Sequence, residues 1–267
     1  MSSKPELEEW FAAGRAGRRW NDMYANGPLR PEEDSFRLRR DYALRLVDER
    51  VREGGRVLDL GCGAGAALVE LLAAKHRAVG LDYSPDMLGF ARARLVERGL
   101  AAGVLARGDG GHLPFGDGHF DCVLCLGVIS YQEDYSHTLR EVRRVLAPDG
   151  VALVTFRNVF NPLVSDPWLG AKALARRVLS GRRPEQHGVG RFLDPSLVER
   201  DLAAVGLRPV RFDGIGLGPL RLAGRSVLPD RISIRISHGL TSVLSRLGLA
   251  WTLKWSADVA MFVCRKG

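Results

Sequence analysis

The run Asp59-Leu60-Gly61-Cys62-Gly63-Ala64-Gly65 combines residue types and spacing that imply chemistry. Glycines accept positive φ and leave the backbone bare, so a ligand can approach where a Cβ would obstruct it. The carboxyl edge of a parallel sheet is where α/β folds bind their ligands. A dinucleotide site wants G-x-G-x-x-G, so that a pyrophosphate meets the helix N-terminus. Here the order is G-x-G-x-G, with Asp59 two residues before the first glycine. A carboxylate at that place disfavours a pyrophosphate and suits a ligand carrying positive charge. Two further acids stand in comparable surroundings, Asp82 in Asp82-Tyr83-Ser84-Pro85-Asp86-Met87 and Asp109 in Gly108-Asp109-Gly110-Gly111-His112-Leu113-Pro114-Phe115. Other reactive side chains take plainer roles. Cys122 and Cys125 form C-x-x-C inside an apolar run with no second pair, whereas structural zinc needs four ligands, so no metal is expected. Cys62 is expected to pack beneath the glycine turn. His76, His119, His137 and His238 read as surface or helix-end residues, and His112 as a packing residue beside the Asp109 loop.

An ammonium and a sulfonium are both present in S-adenosylmethionine, and at this point the sequence resembles the class I S-adenosylmethionine-dependent methyltransferases. The Leu113-Pro114-Phe115 and Phe120-Asp121-Cys122-Val123 segments, followed by Leu139-Arg140-Glu141-Val142-Arg143-Arg144-Val145-Leu146-Ala147-Pro148-Asp149-Gly150, are similar to the subgroup that includes quinone-biosynthesis methyltransferases. The resemblance covers residues 56–156 closely and Phe192–Phe212 more loosely. It implies an α/β, Rossmann-like, doubly wound fold, with a mostly parallel seven-stranded sheet and an antiparallel last strand. It also implies S-adenosylmethionine as cofactor and S-adenosylhomocysteine as product. Carried over residue by residue, Asp59, Gly61, Gly63 and Gly65 form the turn around the cofactor. Asp82 accepts hydrogen bonds from both ribose hydroxyls, as an acceptor-only carboxylate can. Tyr83 and Met87 flank the adenine, Asp109 accepts from its amino group, and the Gly110 amide reads a ring nitrogen. Leu126, at the end of the fourth strand, joins these contacts, and Tyr24 with Trp20 closes over the cofactor from the N-terminal segment.

The elements that must position these residues follow from periodicity. Helical patterns lie near Pro5–Tyr24 and from about Glu33 to Arg52, separated by a break at Asn26-Gly27-Pro28 and Pro31. Strands are expected at 56–60, 78–82, 104–106, 122–126 and 151–156, alternating with helices at 66–76, from Ser84-Pro85, and at 133–146. Continuous apolar strands alternating with helices predict a parallel sheet covered on both faces. A helix at 196–205 and strands at 208–212 and 257–264 complete it. The chain reads as a single unit in three parts: an N-terminal helical cap over 1–55, the binding core over 56–156, and the rest of the sheet over 157–267. That last part includes basic, amphipathic insertions around 167–179 and 231–247, expected to form a lid over a sizeable, partly apolar acceptor.

Composition bounds the rest. Hydrophobic residues make up 46% and charged residues 26%, which excludes wholesale disorder. No run of about 18 uncharged apolar residues occurs, and the polar start has no signal-like apolar segment. Four scattered cysteines fit a reducing, cytoplasmic setting. Residues 157–267 carry 18 Lys+Arg against 8 Asp+Glu, while residues 1–156 carry 21 against 23, so the net charge of +8 arises in the C-terminal part. Such charge suits an anionic substrate, an anionic membrane surface or nucleic acid. Base methylation is disfavoured, because Leu126-Gly127-Val128-Ile129 stands where an N-P-P-Y-type motif would follow the fourth strand. The function expected is methyl transfer to a small-molecule acceptor, oxygen slightly favoured over nitrogen, in biosynthesis. Tyr131 and His187 are the candidate catalytic residues on the acceptor side. A non-catalytic cofactor-binding partner protein, or an enzyme acting on RNA or a lipid-linked substrate, are the alternatives. The oligomeric state and the acceptor's identity stay open.

Overall fold

The computed structural model describes residues 31–161, 165–168, 170–171, 190–217, 221–222, 225–247 and 252–267. The first helix among the described residues, α1 (Pro31–Arg50), begins at the proline the sequence suggests as a break. A proline suits the first turn of a helix, where its missing N–H has no intrahelical partner to lose. Ser35, Arg39, Ala43 and Val47 recur every fourth residue and are all buried, so one stripe of α1 faces the sheet.

Then β1 (Arg56–Leu60), α2 (Ala66–Ala73), β2 (Arg77–Asp82), α3 (Pro85–Glu97), β3 (Leu105–Arg107) and β4 (Phe120–Leu126) alternate as expected. Ser84 caps α3, its hydroxyl accepting from the Met87 amide at 3.3 Å, with Pro85 in the first turn. Next come α4 (Ser136–Val145) and β5 (Leu146–Asn158). Pro148-Asp149-Gly150, between the expected helix and the expected strand, lies inside β5 as an irregularity. Phe120 pairs with Leu146, but Cys122 already pairs with Val151, so the intervening residues bulge out of register. After β6 (Phe192–Leu193), α5 (Pro195–Ala204) and β7 (Leu207–Ile215) come the short strands β8 (Arg221–Leu222) and β9 (Arg225–Ser226). The chain closes with α6 (Asp230–Arg246), α7 (Leu253–Ser256) and β10 (Val259–Lys266).

The main sheet runs β3-β2-β1-β4-β5-β10-β7, with β6 beside the end of β5. The β1–β2, β1–β4, β2–β3 and β4–β5 pairs are parallel, while β10 is antiparallel to both neighbours. This is the mostly parallel, Rossmann-like architecture with an antiparallel last strand. Alternate residues of one strand feed opposite cores. Ala260, Phe262 and Cys264 of β10 join one layer, and Val259, Met261 and Val263 join the other. Burial on both faces is why these strands read as continuous apolar runs. Each fully buried aromatic such as Phe120, Phe156 or Phe262 contributes roughly 1.5–3 kcal/mol. Cys122 and Cys125 likewise fall in opposite layers, so they do not converge on one ion. All four cysteines are free and buried, and burial pushes the Cys125 and Cys264 thiols up to about 12.

Candidate functional site

The glycine turn is built by ties to β2. The amides of Gly61 and Cys62 both donate to the Leu81 carbonyl, at 2.7 and 3.1 Å. The Gly63 amide donates to Asp82 Oδ2 at 2.8 Å, and the Ser84 amide to Asp82 Oδ1 at 2.9 Å. From α3, Arg94 Nη1 donates to the Ala64 carbonyl at 2.8 Å and pins the far side. Each glycine of the turn has φ between 52° and 75°. A Cβ at Gly61 would lie 2.4 Å from Val128 Cγ2, whereas at Gly63 it would meet nothing within 4 Å. Gly61 therefore admits the Val128 turn to close contact, and Gly63 leaves open space above the backbone. Gly65 serves packing: its Cβ would sit 3.0 Å from that of Ala91, where α2 and α3 approach. Cys62 packs beneath the turn against Gly80 of β2, where an added Cβ would lie 2.9 Å from its sulfur.

That open space belongs to a cavity of about 220 Å³ at the carboxyl ends of the strands. Asp59, Gly61 and Gly63 line it from the turn; Tyr83 and Met87 from the start of α3; Asp109 and Gly110 from the loop after β3; and Leu126 and Tyr131 from the end of β4. Nine of the sequence-derived site residues thus share one space. Gly65 and Asp82 do not line it. Asp82 is half-buried, and its two oxygens each accept from a backbone amide, which leaves acceptor capacity on each. His187 and Tyr24 lie outside the described residues. His112 is exposed and forms no part of the lining. The Asp109 loop is fixed twice. Asp109 Oδ1 accepts from the Gly111 amide at 3.0 Å. Farther on, Glu141 and Arg144 of α4 hold the Leu113 amide at 2.7 Å and the Leu113 and Phe115 carbonyls at 3.0 and 2.8 Å.

The electrostatics centre on Asp59. It is 3% exposed, and its Oδ2 has no hydrogen-bond partner. Burial first, then the nearby Asp82 charge, push its carboxyl up to about 7, against weaker opposition from the Arg39 guanidinium and the Leu68 amide. Arg39 is a residue the sequence reading missed. It reaches in from α1, is 7% exposed, and its Nε is unpartnered. A Cβ at Gly127 would lie 2.5 Å from Arg39 Nη1, so that guanidinium lies directly over the turn after β4. One signal existed, since Arg39 occupies the fourth-residue stripe with Ala43 and Val47. Gln132 was also missed; it lines the cavity with its buried side-chain oxygen unsatisfied. Nothing in Tyr131-Gln132-Glu133 marks it. No group of three or more metal-ligating side chains occurs among the described residues.

An orphaned buried carboxylate oxygen, a bare turn with room above it and a buried guanidinium fit a nucleoside that carries a zwitterionic amino-acid end. Residues 58–154 match the family model described as a methyltransferase domain. Over 82% of this chain, and 89% of the other, it is 28% identical to the ubiquinone biosynthesis O-methyltransferase of Dechloromonas aromatica (strain RCB). A ubiquinone/menaquinone biosynthesis C-methyltransferase of Cellvibrio japonicus (strain Ueda107) is 34% identical over 43% of this chain; the chain spans about half the length of that relative, 48%. In fold, magnesium protoporphyrin IX methyltransferase from Synechocystis PCC 6803, solved with S-adenosylhomocysteine bound, superposes with a TM-score of 0.64 at 17% identity, covering 99% of this chain and 100% of that one. Fold, glycine turn and family match define the class. Residues 58–154 form a methyltransferase domain in a Rossmann-like fold, and S-adenosylmethionine is its cofactor.

Proposed function

We propose that this protein methylates a small, largely apolar acceptor on a hydroxyl oxygen. The observation that carries the cofactor's placement is the meeting of two buried, incompletely paired charges, Asp59 and Arg39, at one cavity wall. In this reading Asp59 holds the cofactor's ammonium and Arg39 its carboxylate. Gly61, Gly63 and Gly110 let the ligand lie against backbone, and Asp82 braces the Gly63 amide while offering its remaining lone pairs to the ribose. Tyr83 and Met87 enclose the base, with Asp109 at its polar edge.

When bound, S-adenosylmethionine supplies a methyl group already activated on a sulfonium. The chain's own task is to orient the acceptor oxygen in line, exclude water and remove the hydroxyl proton. Holding the reactants in place contributes several kcal/mol of the barrier reduction, roughly 7–11 in the best cases. Tyr131 and Gln132 stand at the acceptor side of the cavity in this reading. Gly190 lies against the Tyr131 ring, and the Arg191 amide donates to the Ser130 carbonyl at 2.6 Å. His187, three residues before Gly190 in the sequence, is the proton acceptor in this reading. A relative matched over 82% of this chain is an O-methyltransferase, and that supports oxygen in this reading.

The test is a screen of phenolic, catecholic and amine acceptors with isotopically labelled cofactor, read by mass. One methyl on oxygen is expected, with His187→Ala lowering kcat about 10²–10⁴-fold at unchanged cofactor affinity. Methylation of nitrogen or carbon, or full activity in His187→Ala, would overturn the assignment.

A further inference from the structure

Helix α6 is turned the wrong way round for an ordinary surface helix. Ser233 and Ser237 face inward at 1% and 5% exposure, and the Ser237 hydroxyl accepts from the Leu217 amide at 2.8 Å. Ile232, Ile236, Leu240 and Val243 instead face solvent, each between 38% and 49% exposed, with Leu247 following beyond the last turn. Their spacing of four, four, three and four residues makes one continuous apolar stripe. Exposed Arg235 and Arg246 flank that stripe on the same helix. The segment 221–247 carries five arginines and a single acid, Asp230. Among the described residues of this segment, none lines the cavity. Leu244 packs with Leu217, Leu253 and Ala257, and the helix lies against α1. Over the described residues, the segment expected to form a lid presents an outward-facing amphipathic surface.

We propose that α6 docks the protein on an anionic lipid bilayer, lying in the interface with its aliphatic stripe among the acyl chains. Aliphatic residues beside arginines are the composition that binds there: apolar burial holds the helix, and the guanidinium groups meet lipid phosphates. The charge excludes the simplest rival. A second copy docked face to face would set Arg235 and Arg246 against the same arginines. Nor does the helix cross the membrane, since no described helix is long and apolar enough to do so. α1 supplies Arg39 and Arg40 to the cavity wall, so the docked helix sits one helix away from the site.

Vesicle sedimentation of the full chain tests this independently of methyl transfer. Vesicles of equimolar phosphatidylcholine and phosphatidylglycerol should bind the protein, and pure phosphatidylcholine should bind at least tenfold more weakly. Ile236→Glu/Leu240→Glu should lower binding to the anionic vesicles at least tenfold while thermal stability and cofactor affinity hold. Arg235→Glu/Arg246→Glu should lower it similarly and flatten its salt dependence. Leu240→Cys carrying an environment-sensitive dye adds a direct reading, because the native cysteines are buried. Its emission should shift to the blue on anionic vesicles alone. Equal binding by wild type and the Ile236→Glu/Leu240→Glu variant would overturn the proposal. So would a position 240 thiol that stays unreactive in the folded protein, or a dimer that this variant converts to monomer.

Discussion

Asp59 sets stability against binding. Its carboxyl titrates at about 7 in the fold against the usual 3.8, so between those values the folded chain keeps a proton that the unfolded chain has released. Stability contributed at this site therefore falls as pH rises from about 4 to about 7, and the full penalty applies above that. Asp59→Asn removes the titration. The variant should melt higher than wild type at pH 8, with an advantage on the order of 2–4 kcal/mol over that seen at pH 4, by denaturant titration at both values. An equal difference at the two pH values would show that Asp59 does not titrate where the fold places it. Asp82 acts through the turn. Asp82→Ala leaves the Gly63 and Ser84 amides without their acceptor and should weaken S-adenosylmethionine more than tenfold, about 1.5–3 kcal/mol by calorimetry. Unchanged affinity in a folded variant would remove Asp82 from the site.

Among the elements, the turn between β1 and α2 and the turn after β4 are fitted to each other. Gly61 has φ near 69°, and its missing Cβ makes room for Val128. Gly61→Ala should cost about 1–3 kcal/mol from backbone strain and overlap together, measured by urea unfolding. Val128→Ala in the same chain should recover only the overlap, so full recovery would mean that the backbone conformation carries no strain. Elements of this kind were legible because strand–turn–helix units announce themselves locally: a buried strand, a glycine cluster, a Ser-Pro cap. Asp59 and Asp109 were found this way, as was the placing of Tyr131 after β4. Arg39 was not: its place in the fourth-residue stripe of α1 was the signal, but a charged residue within an arginine-rich helix reads as facing outward. The orientation of α6 escaped for a related reason. Periodicity shows that a helix has an apolar face, and packing alone decides whether serines or isoleucines meet the protein.

At the scale of the whole molecule, the sheet gathers onto one edge residues that are far apart in sequence. Asp59, Met87, Asp109 and Tyr131 lie at or after the ends of four successive strands and reach one cavity because parallel strands share their carboxyl ends. The antiparallel β10 is seated between β5 and the edge strand β7, and none of its residues lines the cavity. A parallel sheet was readable from alternation, but its strand order, and the insertion of β10 between β5 and β7, depend on long-range pairing that no local pattern encodes. Cofactor binding should couple to the entire unit, raising its stability by about 2.7 kcal/mol at a ligand concentration one hundred times Kd.

Calorimetric titration at pH 6, repeated in buffers of different ionisation enthalpy, addresses the socket most directly. S-adenosylmethionine should bind one to one with release of a proton as Asp59 ionises against the ligand's ammonium. Asp59→Asn should lose both that proton and at least tenfold in affinity, and NAD should give no binding heat. Binding of NAD, or adenosylmethionine affinity and proton release unaltered in Asp59→Asn, would contradict the assignment of this cavity.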